Sequence, residues 1–266
     1  MIRGLYTAAA GMTAQQKDID VISNNIANVN TTSFKKDRTE FQDLMYQSLN
    51  YTAGATGANT TNPTGIDTGL GVRVSGIQKE FLQGNLTATG NAYDIAIEGL
   101  GFFKVINENT GDTLYTRNGS FKIGPNGTLV NHLGYELQPA VDVNSDPANP
   151  YIKVSIASDG TVVGQFADGT TTTITTLETY NFLNPAGLAP QGNNLYQETE
   201  TSGTATLGQP SVNGYGSLAQ GYIEGSNVEL VEEMVNLITA QRGYEANSKA
   251  ITTTDSMLQI VNQLKR

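Results

Sequence analysis

A chain with one histidine, His132, and no cysteine has few ways to do chemistry. One imidazole leaves at most one histidine base and rules out every multi-histidine metal site. Without a thiol there is no disulfide framework, thiolate nucleophile, Cys-zinc site or iron–sulfur cluster. His132 stands in Val130-Asn131-His132-Leu133-Gly134, between two strand-like runs, which is the place of a hairpin tip. Gly214-Tyr215-Gly216-Ser217-Leu218-Ala219 fits G-x-G-x-x-A, the spacing that lets backbone amides approach a pyrophosphate. That chemistry needs a helix opening directly after the glycines, whereas Gln220-Gly221-Tyr222-Ile223-Glu224 continues as an extended segment. Gly99-Leu100-Gly101 and Gly69-Leu70-Gly71 lack the rest of the pattern and read as turns. Asp142-Val143-Asn144-Ser145-Asp146 opens like a calcium loop, but Pro147 stands where the loop needs Gly and Lys153 where it needs Glu. Asp94 and Glu98 are candidates for paired carboxylates, though nothing in their spacing separates them from solvated surface charge. No G-x-S-x-G, Walker or zinc signature is present. The sequence reads as a chain with no active site, no metal and no cofactor, and so not an enzyme.

The elements that would have to position any such site differ sharply along the chain. From Ile2 to Val29 the apolar spacing is helical, with Leu5, Met12, Ile19 and Ile26 seven residues apart and Asn28-Val29-Asn30-Thr31 as the stop. At the other end, Ser226-Asn227-Val228-Glu229 has capping-box spacing, and Glu232 and Glu233 suit the positive end of a helix dipole. Leu230, Leu237, Tyr244, Ile251 and Leu258 then repeat every seven residues, and Lys265 and Arg266 close the run. Between the helices lie short alternating runs such as Phe102-Phe103-Lys104-Val105-Ile106 and Ile152-Lys153-Val154-Ser155-Ile156. Asn118-Gly119, Asn126-Gly127, Asp159-Gly160 and Asp168-Gly169 are dipeptides that readily take the positive φ of tight hairpin turns. The expected fold is α+β: terminal helices paired as a coiled-coil-like bundle, with a central antiparallel β-rich domain. The expected division is 1–36 and 226–266 for the helical domain, 72–204 for the β-rich domain, and 37–71 with 205–225 as extended connecting or arm segments.

Composition agrees with that division. The chain has 266 residues, 15 Lys+Arg against 25 Asp+Glu, and a formal charge of −10. All of that excess falls between residues 41 and 224, which hold six basic and sixteen acidic residues; the two ends sum to zero. So acidic a chain is a poor partner for nucleic acid. The N-terminus lacks a signal peptide's long apolar run, because Gln15, Gln16, Lys17, Asp18 and Asp20 interrupt it. No stretch approaches the roughly 18 apolar residues of a spanning helix. Each helix fills one heptad position with large apolar groups and the other mostly with small or polar ones, such as Gln16, Ser23, Gln241 and Ser248. A two-helix seam that thin predicts either packing on the β domain or completion by neighbouring chains, and the second reading is favoured.

Several motifs resemble one family. Ser23-Asn24-Asn25-Ile26-Ala27-Asn28-Val29-Asn30-Thr31 with Ser33-Phe34-Lys35-Lys36 resembles the N-terminal signature of the bacterial flagellar rod and hook proteins, its motif residues being Asn24, Asn25, Ala27, Asn28, Phe34 and Lys35. Gln241-Arg242-Gly243-Tyr244-Glu245-Ala246-Asn247-Ser248-Lys249 resembles their terminal helix, with Gly243 where many relatives carry Ala. Gln83-Gly84-Asn85-Leu86, Asp94-Ile95-Ala96-Ile97-Glu98-Gly99 and Tyr115-Thr116-Arg117-Asn118-Gly119-Ser120-Phe121 agree in order between them. Within the family the chain is most similar to the distal-rod subunits. Residues 50–71, with Pro63, Gly65, Gly69 and Gly71, match a stretch associated with rod stiffness. The resemblance implies a structural subunit exported unfolded through the flagellar type III apparatus without a cleaved signal. It would polymerise with copies of itself into a rigid hollow helical tube across the periplasm, carrying torque from motor to hook. Implied neighbours are proximal-rod proteins, the hook protein and the surrounding periplasmic and outer-membrane rings; no nucleic acid or small-molecule substrate is implied. The alternatives are a proximal-rod or hook subunit and, from another class, a secreted protein that binds or hydrolyses cell-wall glycan.

Overall fold

The computed structural model describes residues 2–50, 66–108, 111–143 and 151–264. Two helices bracket strands: α1 spans Ile2–Ala27 and α2 spans Leu230–Leu264. No described helix is long and apolar enough to cross a membrane. By contacts the chain forms two units, one of Met1–Ala27, Asp37–Lys79 and Glu229–Arg266, the other of Asn28–Lys36 and Glu80–Val228.

In the first unit α1 and α2 pack against each other. The match is antiparallel. Gly11 faces Asn247, Gln15 faces Gly243 and Asn25 bonds Glu233, so the α2 number falls as the α1 number rises, residue for residue. Four strands accompany the helices: β1 (Asp37–Asp43), β2 (Tyr46–Asn50), β3 (Ile66–Gly69) and β4 (Val72–Lys79). β1 pairs antiparallel with β4 from Asp37 opposite Lys79 to Asp43 opposite Val72, with a bulge at Glu40/Phe41. The Asp37–Lys79 end is pinned by an ion pair at 2.8 Å. β2 pairs antiparallel with β3. The described part of 37–71, expected as an arm, is therefore paired β structure and groups with the helices. Sheet formation begins at residue 37, before the expected boundary at 72.

The second unit is built on a seven-stranded antiparallel sheet in the order Ala189–Gly192, Leu195–Gln197, Thr113–Thr116, Phe103–Ile106, Glu136–Gln138, Leu129–Val130, Lys122–Ile123. Successive residues of a strand point to opposite faces, and in the inner strands of this sheet both faces carry buried residues. Phe103, Leu114 and Leu195 join one core with Ile95, Ile97, Phe121 and Leu137. Their immediate neighbours Phe102, Tyr115 and Tyr196 join a second, aromatic core with Phe182 and Leu188. Ring pairs there meet edge-on, Tyr115 to Phe182 at 4.8 Å between centroids. That double burial is why Gly101-Phe102-Phe103 is apolar without alternation. A three-stranded meander follows, Lys153–Ile156, Thr161–Gln165 and Thr171–Thr176, whose turns are closed by Gly160 and Gly169 at φ of +88° and +85°. Residues 205–225, also expected as a connector, supply Thr206–Gly208, Ser217–Gln220 and Tyr222–Glu224, each paired within this unit.

One expected turn is something else. Gly119 lacks the positive φ of Asn126-Gly127 and the two Asp-Gly turns. Its Cα instead presses on strand Ile95–Glu98, so closely that a Cβ would overlap the Ile95 carbonyl oxygen. Gly119→Ala is therefore expected to destabilise the full chain by about 1–3 kcal/mol of overpacking cost, read as a lower urea midpoint; an unchanged midpoint overturns this account.

Candidate functional site

The motif residues of the N-terminal segment fall into two clusters, one in each unit. In the first, Asn25 is buried at 1% exposure. Its Oδ1 accepts from the Asp37 backbone N–H at 2.9 Å, while its Nδ2 donates to the Asp37 carbonyl at 2.8 Å and to Glu233 Oε2 at 3.1 Å. A side-chain amide alone offers donor and acceptor side by side, so Asn25 extends a backbone-like pairing to β1 and ties in α2. Glu233, expected only as a dipole partner, lies in the first turn of α2 at 1% exposure and is one of these ties. Asn24 and Ala27 are exposed.

In the second unit the segment after the helix is threaded into the β structure. Asn28 closes a turn onto Thr31. Ser33, at φ 55°, donates its N–H to the Glu224 carbonyl at 2.8 Å and its Oγ–H to the Arg117 carbonyl at 2.9 Å. Phe34 is buried beside it in sequence. Lys35, with no exposed surface, donates from Nζ to Glu224 Oε1 at 2.7 Å and to the Leu82 carbonyl at 2.6 Å. Arg117 donates from Nε to Glu224 Oε2 at 2.9 Å and from Nη2 to the Gly99 carbonyl at 2.8 Å, its guanidinium 5.9 Å from the Phe102 ring centre. The Gly84 backbone N–H adds a third donor to Glu224. Asn227 accepts from the Lys36 N–H and donates to the Glu80 and Leu82 carbonyls. One buried carboxylate thus faces two cations and gathers segments 33–35, 82–84, 117 and 224.

Burial in that knot, with the Arg117 cation close by, lowers the Lys35 ammonium to about 8 from 10.5, although Glu224 opposes the shift. Folding therefore disfavours the protonated form. That cost is full below pH 8 and is relieved as pH rises from about 8 to 10.5, so this group makes stability increase with pH there. Replacing it removes the effect: the stability of Lys35→Met relative to the parent chain is expected to fall between pH 8 and pH 10 in urea titrations. A difference that stays flat across that window overturns the assignment.

Sequence reasoning missed Glu224, Arg117, Glu233 and Asn227 as partners. Glu224 bonds a residue 189 positions away, and no local pattern marks such a pairing. The expected capping box is also displaced. α2 opens at Leu230, with the Glu233 N–H on the Glu229 carbonyl, and Ser226 Oγ accepts from Val228 ahead of the helix.

None of the sequence candidates for chemistry gathers partners for it. His132 lies exposed at the turn closed by Gly134 N–H onto Asn131. The cleft beside it, about 510 Å³, is lined by neutral amides and hydroxyls including Asn28, Thr31, Asn118 and Asn193, with no carboxylate to pair with the imidazole. Asp94 is held by Thr89 Oγ1 and the Asn91 amide, and Glu98 accepts from Ser217 at 3.4 Å. Gly216 leads into strand Ser217–Gln220, not a helix, so the glycine pattern cannot cradle a phosphate. Residues 144–150 of the acidic loop lie outside the described residues. Among the described residues no group of three His, Asp or Glu could hold a metal.

What the molecule does offer is bare apolar surface on the helical unit. The shared face of α1 is made largely of small residues, Ala8, Gly11 and Ala14, with Val21, Ile22 and Asn25. Small residues let helix backbones approach, and the large ones flank the line of contact. Leu5, Met12, Ile19 and Ile26 accordingly stand half-buried, as do Leu237, Ile251 and Leu258, while Leu230 and Tyr244 are exposed. Gly243 belongs to the same close approach, its Cα against Gln15. Along α2, Val231, Met234, Val235 and Ile238 are bare at one end and Met257, Ile260, Val261 and Leu264 at the other. The 50–71 stretch is described only in part, and Pro63 and Gly65 lie outside the described residues. Gly69 ends β3, and Gly71, at φ +113°, packs on Ala10 and Thr7 of α1.

Comparison with known proteins gives these faces a context. Family profiles described as "Flagella basal body rod protein", "Flagellar hook protein FlgE/F/G D1 domain" and "Flagellar basal body rod FlgEFG protein C-terminal" match residues 5–35, 96–164 and 219–264. The chain is 46% identical over 269 residues to the flagellar basal-body rod protein FlgG of Borreliella burgdorferi, covering all of both chains. It is 44% identical to that of Agrobacterium fabrum, covering 98% of this chain and 99% of the relative. With that of Bacillus subtilis it shares 40% identity, again over the full length of both.

Proposed function

The chain belongs to the flagellar basal-body rod protein family, and from that premise we propose that copies of it polymerise into the straight shaft below the hook. It is a structural subunit of the flagellar distal rod, not an enzyme, and serves motility within the basal body alongside other rod and hook components. In the proposed assembly the terminal helices bundle in coiled-coil fashion as the inner layer of a hollow helical tube. The β-rich domain forms the outer layer, the lumen passes later exported subunits, and the wall carries torque to the hook. The subunit itself leaves the cell unfolded through the type III apparatus, without a cleaved signal peptide, and crosses the periplasm in the finished rod. Proximal-rod proteins, the hook protein and the surrounding ring proteins are its proposed neighbours. The stretch 50–71 is proposed to stiffen the wall.

The observation that supports this reading best is the apolar surface of α2. Ten of the thirteen large apolar side chains of α2 are exposed, Val231 at 70%, Val235 at 54% and Ile260 at 56% among them, an apolar surface that calls for a partner. Neighbouring copies supply one. The test is immunogold labelling of detergent-resistant hook–basal bodies. Label along the shaft just below the hook is the expected result, and label confined to the hook, or none on intact basal bodies, overturns the reading. Deletion of residues 52–68 is expected to soften the rod; straight rods of normal length in that strain would count against the stiffening role.

A further inference from the structure

The chain contains three Asn-Gly steps, Asn118-Gly119, Asn126-Gly127 and Asn213-Gly214, and the structure treats them differently. An Asn-Gly step can cyclise: the glycine nitrogen attacks the asparagine Cγ, and the lack of a Cβ on Gly leaves that approach open. Reaction requires the asparagine side chain to be free and the backbone to turn about the bond between the two residues. At Asn118 both are blocked. Its Oδ1 accepts from the Ser120 N–H at 3.1 Å, and Gly119 is wedged against the Ile95 carbonyl. At Asn126 the nucleophile is engaged: the Gly127 N–H donates to the Gly124 carbonyl at 3.0 Å, and Gly127 is buried while its carbonyl accepts from Val143.

Asn213 and Gly214 meet none of these restraints. Both are exposed, and a Cβ placed on Gly214 would touch nothing within 4 Å. The loop closes around them through the Tyr215 N–H on the Val212 carbonyl at 3.0 Å and the Ser211 N–H on the Gly216 carbonyl at 3.2 Å, neither of which engages the Asn213 side chain or the Gly214 nitrogen. The loop also holds non-glycine residues in the left-handed region, Ser211 at φ 65° and Asn213 at φ 52°, conformations that cost a side-chain-bearing residue energy. We propose that Asn213 is a site of spontaneous deamidation in the folded protein, an ageing mark confined to one loop of the β-rich unit.

The chemistry needs water alone. The Gly214 nitrogen bonds to Asn213 Cγ and gives up its proton, and Nδ2 departs as ammonia, leaving a five-membered succinimide. Water then adds to one ring carbonyl. Breaking the bond from nitrogen to Cγ restores the chain with aspartate at 213, and breaking the bond to the backbone carbonyl carbon leaves isoaspartate, with an extra methylene in the main chain. Either product adds one negative charge to a chain of formal charge −10. The longer main chain of isoaspartate also frees the loop from its left-handed conformation at 213.

The test is to incubate the purified full chain in mild alkali and follow each Asn-Gly peptide by mass spectrometry, with a parallel sample in denaturant. In the folded chain Asn213 is expected to convert roughly tenfold faster than Asn118 or Asn126, a difference of about 1.4 kcal/mol in barrier. In denaturant the three are expected to convert at similar rates. Isoaspartate at 213, read by an isoaspartyl methyltransferase assay and absent from Asn213→Gln, is the expected product signature. Folded-state conversion at Asn118 or Asn126 as fast as at Asn213, or no conversion at Asn213 while the denatured sample reacts, overturns the proposal.

Discussion

Glu224→Gln is expected to leave the β-rich unit barely folded, while Lys35→Met, at the other end of the same bond, is expected to be tolerated. The asymmetry follows from the charges. Glu224 is the one carboxylate between Lys35 and Arg117, and all three side chains are buried. Neutralising it strands two cations without water, and breaking a buried ion pair from one side costs about 3–5 kcal/mol. Geometry adds to this. Oε1 accepts from Lys35 and Gly84, and Oε2 from Arg117. A glutamine must turn its own N–H groups toward donors on one side or the other. Against the 5–15 kcal/mol typical of a domain, that loss removes much of the margin.

Lys35→Met leaves every acceptor with another donor. Glu224 keeps Arg117 and Gly84, and the Leu82 carbonyl keeps Asn227 Nδ2 at 3.3 Å. The cost of burying an ammonium disappears with the group, so the net loss is expected near 1 kcal/mol, the usual worth of one hydrogen bond. Urea unfolding of the two purified variants and of the double variant measures the difference. Glu224→Gln is expected to fall well below Lys35→Met, and adding Lys35→Met to Glu224→Gln is expected to recover part of the loss by removing one stranded charge. Equal losses in the two single variants, or strictly additive ones in the double, would show that the knot is not held by charge.

The knot also marks the border of what the sequence discloses. Local patterns carried far: both helices, the Asp159-Gly160 and Asp168-Gly169 hairpins, and the hairpin tip at His132 follow from periodicity and turn chemistry. What failed did so where a distant segment decides. Asn118-Gly119 has turn composition, yet Gly119 answers to the Ile95 carbonyl and not to its own φ. Glu224 reads as the last residue of an extended connecting segment and is instead a buried charge between Lys35 and Arg117. The start of α2 is a local exception: Ser226 accepts from Val228 two residues on, in a turn ahead of the helix, which opens at Leu230. The seven-residue repeat picks out Leu5, Met12, Ile19 and Ile26 on α1, yet the buried face of that helix is made by Ala8, Gly11, Ala14, Val21 and Ile22. Gly11 and Gly243 hold the helices close, so the leucines and isoleucines of the repeat stand beside the line.

That placement separates folding from assembly, which gives the second large effect. Val235 and Ile260 are 54% and 56% exposed on α2, at opposite ends of the helix. Changing both to Asp should alter the stability of the isolated chain by no more than about 0.5 kcal/mol per site, as surface substitutions generally do. In the proposed polymer the same two positions would meet a neighbour in every copy. Burying each stabilises a contact by about 1.5–3 kcal/mol, and a carboxylate there would also have to give up its water. Because each subunit repeats the defect, loss of assembly is expected to be complete: no rods by electron microscopy and no swimming, from a protein whose urea midpoint and circular dichroism are those of the parent. Leu237→Asp and Ile251→Asp are half-buried, and there both readouts are expected to change, the midpoint falling together with assembly. Intact rods from the Val235→Asp, Ile260→Asp double variant would place the contacts between copies elsewhere, whereas a collapsed midpoint would mean that these side chains already serve the fold of the single chain.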